Sequence, residues 1–83
     1  MVNTTCFLLG CIIEEDTDYG GNDIADKAVE NQRACVDFCK TIEGAPFWTW
    51  NPGTKRCYVK SSDSGRTSAV GAVSGNRECG TGE

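Results

Sequence analysis

The chain has 83 residues, six cysteines, no histidine and a net charge of −4. So short a chain fits one domain and buries only about 60% of its unfolded surface, so its core needs reinforcement. The acidic balance argues against nucleic acid or heparin as the main ligand, and the missing histidine removes the commonest general base and metal ligand.

Cys6, Cys11, Cys35, Cys39, Cys57 and Cys79 run from one end to the other. An even set in so short a chain reads as a disulfide framework, each bridge contributing about 2–4 kcal/mol. Such bridges persist outside the cytosol, which implies a secreted or cell-surface protein. Zinc does not fit the spacing, because Cys35 and Cys39 form one close pair and no matching pair follows. No stretch approaches the roughly 18 apolar residues of a membrane span. Phe7–Ile13 lacks the basic flank and cleavage site of a signal peptide, so the expectation is a module cut from a longer secreted precursor, with Met1 an expression start. Residues 1–5 read as a tail, 6–79 as the domain and 80–83 as linker.

In chain order, Phe7–Ile13 has the composition of a buried strand. Glu14–Asp18 reads as an acidic loop and Tyr19–Asp23 as a turn, since Gly and Asn accept positive φ. A calcium loop starting at Asp16 fails the EF-hand template, because its fifth position is Gly20 and its twelfth is Lys27, where a bidentate glutamate is needed. A solvated turn is the simpler reading. Gln32 to about Ile42 predicts a helix, with Asn31 as N-cap and Gly44 ending it at positive φ. Cys35, Phe38, Cys39 and Ile42 form one apolar stripe. Pro46–Trp50 predicts a strand, Asn51–Thr54 a type II turn, and Arg56–Lys60 the return strand. Alternation puts Cys57 and Val59 inward, Tyr58 and Lys60 outward. Ser61–Gly75 reads as loop plus one short strand.

A Cys35–Cys39 bridge within one helical turn has poor geometry. One helical cysteine is therefore expected to bond Cys57, and Cys79 to clip to the first strand, with the individual partners open at this level.

Cys35-x3-Cys39 on a short helix, the aromatic strand Phe47-Trp48-Thr49-Trp50, the Pro52-Gly53 turn and Cys57-Tyr58-Val59-Lys60-Ser61-Ser62 resemble the PAN/apple module. Asp18–Ile24 resembles the turn before that module's helix. The resemblance covers about residues 11–79 and implies a small disulfide-rich α+β fold, one helix packed on an antiparallel sheet. The wording of residues 51–79 is similar to apple domains strung in tandem in the microneme adhesins of coccidian parasites.

Carried over from that family, the bridges are Cys11–Cys79 and Cys35–Cys57. The family's third bridge lacks its partner, because Ala45 stands in its place; the extra cysteine upstream suggests Cys6–Cys39 instead. The resemblance implies a secreted adhesion module, held in micronemes and then on the parasite surface. Its partners would be a host-cell protein or glycan, other microneme proteins or neighbouring apple modules, with no cofactor, metal, nucleic acid or membrane insertion. A sugar-specific lectin, a regulatory module of a protease precursor and a structural spacer are the alternatives. No histidine, free thiol or base-activated serine supports catalysis.

The candidate ligand residues are Tyr58 and Lys60 on the outward face of the return strand, with Arg56 and Arg66 near them. Lys55 joins Arg56, Lys60 and Arg66 as a possible basic edge, against the simpler reading of solvated charges. Trp48 and Trp50 read as core rather than as a ligand platform. Asn3-Thr4-Thr5 is a glycosylation sequon.

Overall fold

A computed structural model describes residues 11–79. The elements run β1 (Ile13–Tyr19), β2 (Asp23–Ala28), α1 (Gln32–Thr41), β3 (Phe47–Asn51), β4 (Arg56–Lys60) and β5 (Arg66–Asn76). The strands form one antiparallel sheet in the order β1-β5-β3-β4-β2, with α1 on one face. The protein is thus a small disulfide-rich α+β domain. The boundaries expected at residues 1–5 and 80–83, and the start of the expected Phe7–Ile13 strand, lie outside the described residues.

The helix forms where its capping chemistry places it. Asn31 Oδ1 accepts the Ala34 N–H at 2.8 Å, and Gly44 takes φ +78° just beyond the last turn. Cys35, Val36 and Cys39 are buried against the sheet, and Phe38 and Ile42 pack beside them. Trp48, Val59, Val73 and Cys57 meet this helical face from the strands. Both tryptophans therefore belong to the core side, and Trp48 is held by its indole N–H donating to Asn76 O at 2.7 Å.

Two bridges staple this layer. Cys35–Cys57 ties α1 to β4, and Cys11–Cys79 ties the start of the described chain to its end. Cys39 is a buried cysteine bonded to no described partner, its Sγ 3.6–3.7 Å from the carbonyls of Phe47 and Ala45. Cys6, its expected partner, lies outside the described residues.

Several expectations need correction. Glu14–Asp18 is strand rather than loop: it lies in β1, paired to β5. Asp23–Ala28 adds the edge strand β2, paired to β4, where a turn and open chain were expected. The turn after β3 is not type II with Gly53 at positive φ. Lys55 takes that conformation, at φ 56°, and Asn51 Oδ1 accepts the Gly53 N–H, an Asx turn. Ile12 and Ile13 are exposed rather than buried.

The β1–β5 pairing carries a bulge that redirects both strands. Glu15 pairs Val73 and Thr17 pairs Ser68, so β5 loops out Ala69–Ala72 opposite the single residue Asp16. Asp16 sits at φ 53° and Gly71 at φ 89°, and Asp16 Oδ1 accepts the Gly71 N–H at 2.8 Å. A bulge adds twist and bends its strand. Beyond it the two strands leave β3 as a ribbon and fold across the sheet face opposite the helix. Tyr19 marks the crossing: its N–H donates to Thr49 Oγ1, and its ring meets Phe47 edge-on at 5.6 Å.

Candidate binding cleft

Strand alternation puts Phe47 and Thr49 of β3, and Arg56, Tyr58 and Lys60 of β4, on the helix-distal face. The β1–β5 ribbon covers part of that face. Between ribbon and sheet lies an open cleft of about 300 Å³. Thr49, Tyr58 and Lys60 form its floor, Asp23 closes one side, and Asp18, Ala69 and Ala72 of the ribbon form the opposite wall.

Lys60 is the singular residue of this cleft. It faces away from the helix, as alternation requires, yet it is not exposed: only 3% of its surface reaches solvent. The expected outward lysine is corrected because the ribbon roofs the face that would otherwise be solvent. Its ammonium pairs with the Asp23 carboxylate and stands 5.3 Å from the centre of the Tyr58 ring. Asp23 remains half exposed on edge strand β2. Asp18 stands across the cleft, so its lining combines a cation, two carboxylates and an aromatic ring.

A network of hydroxyls pins the roof beneath this lining. Thr49 Oγ1 and Ser74 Oγ lie 2.6 Å apart, and Ser74 Oγ donates to Thr17 O at 2.8 Å. Both side chains are buried, so their hydrogen bonds tie β1, β3 and β5 together where water cannot compete.

The remaining candidates fall elsewhere. Arg56 shares the face but pairs with Asp26 at 2.6 Å and does not line the cleft. Arg66 lies at the ribbon tip, also off the cleft. Its Nε donates to Glu14 Oε1 and its Nη2 to Asp63 Oδ2, each at 2.8 Å, and its guanidinium lies 5.5 Å from the Tyr19 ring centre. The proposed basic edge is therefore not a free cationic surface: Arg56, Lys60 and Arg66 each hold a carboxylate, and Lys55 sits in the turn.

The bulge explains how Glu14 and Tyr19, five residues apart, share a face. Asp16, at φ 53°, leaves the extended conformation and breaks the period-2 alternation between them. The Tyr19 hydroxyl, with Arg66 beside it, holds the Glu14 carboxyl below its usual range. Burial, then the hydrogen bond to Glu14, pushes Tyr19 up to about 12. Glu14 and Tyr19 in turn hold the Arg66 guanidinium more firmly protonated. As a thiol, Cys39 would have its pKa pushed up by burial.

The acidic turn is divided among separate tasks. Asp16 caps the bulge, Asp18 lines the cleft and Asp23 holds Lys60. Among the described residues no group of three Cys, Asp or Glu side chains converges as a metal-ligand set. Of the residues that line the cleft, the sequence reading named Tyr58 and Lys60 and not Asp18, Asp23 or Thr49; Asp18 reaches the cleft through the ribbon and Asp23 through edge strand β2. No protein-family model matches the chain, and no curated protein matches it at a significant level.

Proposed function

We propose that this chain is a non-enzymatic adhesion module of a secreted protein, of the PAN/apple type, and that the helix-distal cleft is where it holds its ligand. The observation that carries the reading is Lys60. A lysine so nearly sealed from solvent costs stability, and an apolar side chain of similar length would fill the same space at less cost. Lys60 nevertheless lines an open cleft.

The lining favours a hydroxyl-rich ligand. Lys60 can donate to ligand oxygens, Asp18 and Asp23 can accept from ligand hydroxyls, and Tyr58 offers an apolar face for C–H groups. That chemistry suits a cell-surface glycan and supports the lectin reading within the adhesion class. A protein partner is the second reading, since Tyr58 is a residue type enriched at interface hot spots. A binder is favoured over a catalyst by the residue inventory: no histidine, bridged or buried thiols, and one cleft carboxylate committed to Lys60.

The likeness to coccidian microneme adhesins makes host-cell attachment the setting, with secretion through micronemes and tandem modules adding avidity to weak single sites. A flanking serine-protease domain would instead favour the regulatory module. The proposed third bridge is Cys6–Cys39, which non-reducing peptide mapping would reveal as a linked peptide pair.

The test is a tetramerised module applied to a glycan array and to host cells, the cells used intact, deglycosylated or protease-treated. Binding lost on deglycosylation supports the glycan reading. Binding lost only on protease treatment supports a protein partner. No binding to any surface leaves the spacer reading standing and removes the adhesion one.

A further inference from the structure

We propose that Arg66 is a positioning residue for the cleft: through Glu14, Tyr19 and Asp63 it fixes the tip of the β1–β5 ribbon, and the ribbon sets where Asp18, Ala69 and Ala72 stand opposite Lys60. This inference rests on the reading of the cleft as the ligand site.

The geometry separates the ribbon from the rest of the fold. β3 pairs with β5 only over Val73–Asn76, while Arg66, Thr67 and Ser68 pair only with β1. Past the bulge the ribbon has no neighbouring strand to define its distance from the sheet. The wall it carries is therefore held by contacts at two places. One is the seam of Tyr19 and Thr17 on Phe47, Thr49 and Ser74. The other is the tip.

At the tip the backbone is already drawn close. Gly20 N–H donates to Gly65 O at 2.9 Å, and a β-carbon on Gly65 would come within 1.9 Å of Gly20 O. Arg66 then gathers three groups around its planar fork: Glu14 from the far side of the bulge, Asp63 from the loop after β4, and the face of Tyr19. Two carboxylates and a ring match the shape of one guanidinium and would not be matched by an ammonium. The residues on either side of the bulge, Glu14 before it and Tyr19 after it, are thus tied to one cation. Such a tie fixes the bend angle of the ribbon and with it the width of the cleft.

The test is the amide NMR spectrum of the ligand-free domain, so a failure here is distinguishable from a failure of the ligand reading. In Arg66→Ala the amide peaks of Asp18, Tyr19, Ser68 and Ala69 are expected to shift or broaden, while those of Cys35, Trp48 and Cys57 stay in place. Glu14→Gln is expected to move the same ribbon peaks, and it decides the matter alone if Arg66→Ala does not fold. Arg66→Lys, which keeps the charge but not the fork, is expected to move them by a smaller amount. Unmoved ribbon peaks in both Arg66→Ala and Glu14→Gln would overturn the proposal. So would core peaks that move as much as the ribbon peaks, because Arg66 would then be a general structural residue, and so would an Arg66→Lys spectrum as displaced as that of Arg66→Ala.

Discussion

Removing Asp23 should harm the fold more than removing the lysine it holds. Lys60 is 3% exposed and its side chain 4%, whereas the Asp23 side chain is 52% exposed. Breaking a fully buried ion pair typically costs about 3–5 kcal/mol, because one charge is left uncompensated. Here Asp23 is already half solvated and its removal opens that side of the cleft to water, so the cost of Asp23→Ala is reduced to about 1–2 kcal/mol. For a domain of this size that is a fall in Tm of roughly 5–15 °C. Lys60→Met removes the buried charge itself, keeps most of the volume and leaves a solvated Asp23. Its stability should stay within about 1 kcal/mol of the parent in either direction. Urea unfolding followed by the fluorescence of Trp48 and Trp50 would give both values, provided the m-values agree. If Lys60→Met is destabilised as much as Asp23→Ala, Lys60 is a structural residue and the case for a functional cleft loses its main support.

Other outcomes follow from the same structure. A β-carbon at Gly75 would lie 2.6 Å from Ile12 O and 2.7 Å from the Trp48 ring, so Gly75→Ala should cost about 1–3 kcal/mol by overpacking, and a parent-like Tm would show that Trp48 does not lie across that strand. Tyr19 titrates higher in the folded state, so its contribution is fully present below the ordinary value of 10 and is lost as pH rises through about 12. Stability should therefore decline over that window, and Tyr19→Phe should flatten the decline; an unchanged slope would refute the assignment. Cys39 should resist iodoacetamide near pH 8 in the native protein, because it is buried and carries no thiol in the proposed Cys6–Cys39 bridge, and rapid labelling of Cys39 would contradict both. Cys11–Cys79 spans 68 residues and Cys35–Cys57 spans 22, so on loop entropy alone the terminal bridge contributes about 1 kcal/mol more. Paired Cys→Ser variants compared by urea unfolding would reverse that order if packing around the fully buried Cys35 and Cys57 dominates.

The parts of the fold legible in the sequence were those set by local chemistry. Asn31, the Cys35–Ile42 stripe and Gly44 specify the helix within a residue of its observed end. Alternation through Phe47–Trp50 and Arg56–Lys60 assigned the correct residues to each face of the hairpin. The missed strands are edge strands, whose conformation comes from their neighbours. β1 is acidic and its alternation is broken at Asp16, so it shows neither strand composition nor period-2 pattern. β2 is Asp-Ile-Ala-Asp-Lys-Ala, poor in strand formers, and it is held by β4. The error over Lys60 has a related cause. Its direction was right, but the roof over it comes from residues some 40 positions upstream and from the bulge in β5, which no local pattern reports.

The most direct test of the cleft as the ligand site is the binding of tetramerised Lys60→Met to host cells, measured beside the parent at equal thermal stability. The account predicts at least a tenfold loss of binding, equivalent to about 1.4 kcal/mol or more at the site. Parent-like binding by Lys60→Met would place the ligand elsewhere on the molecule and contradict the account.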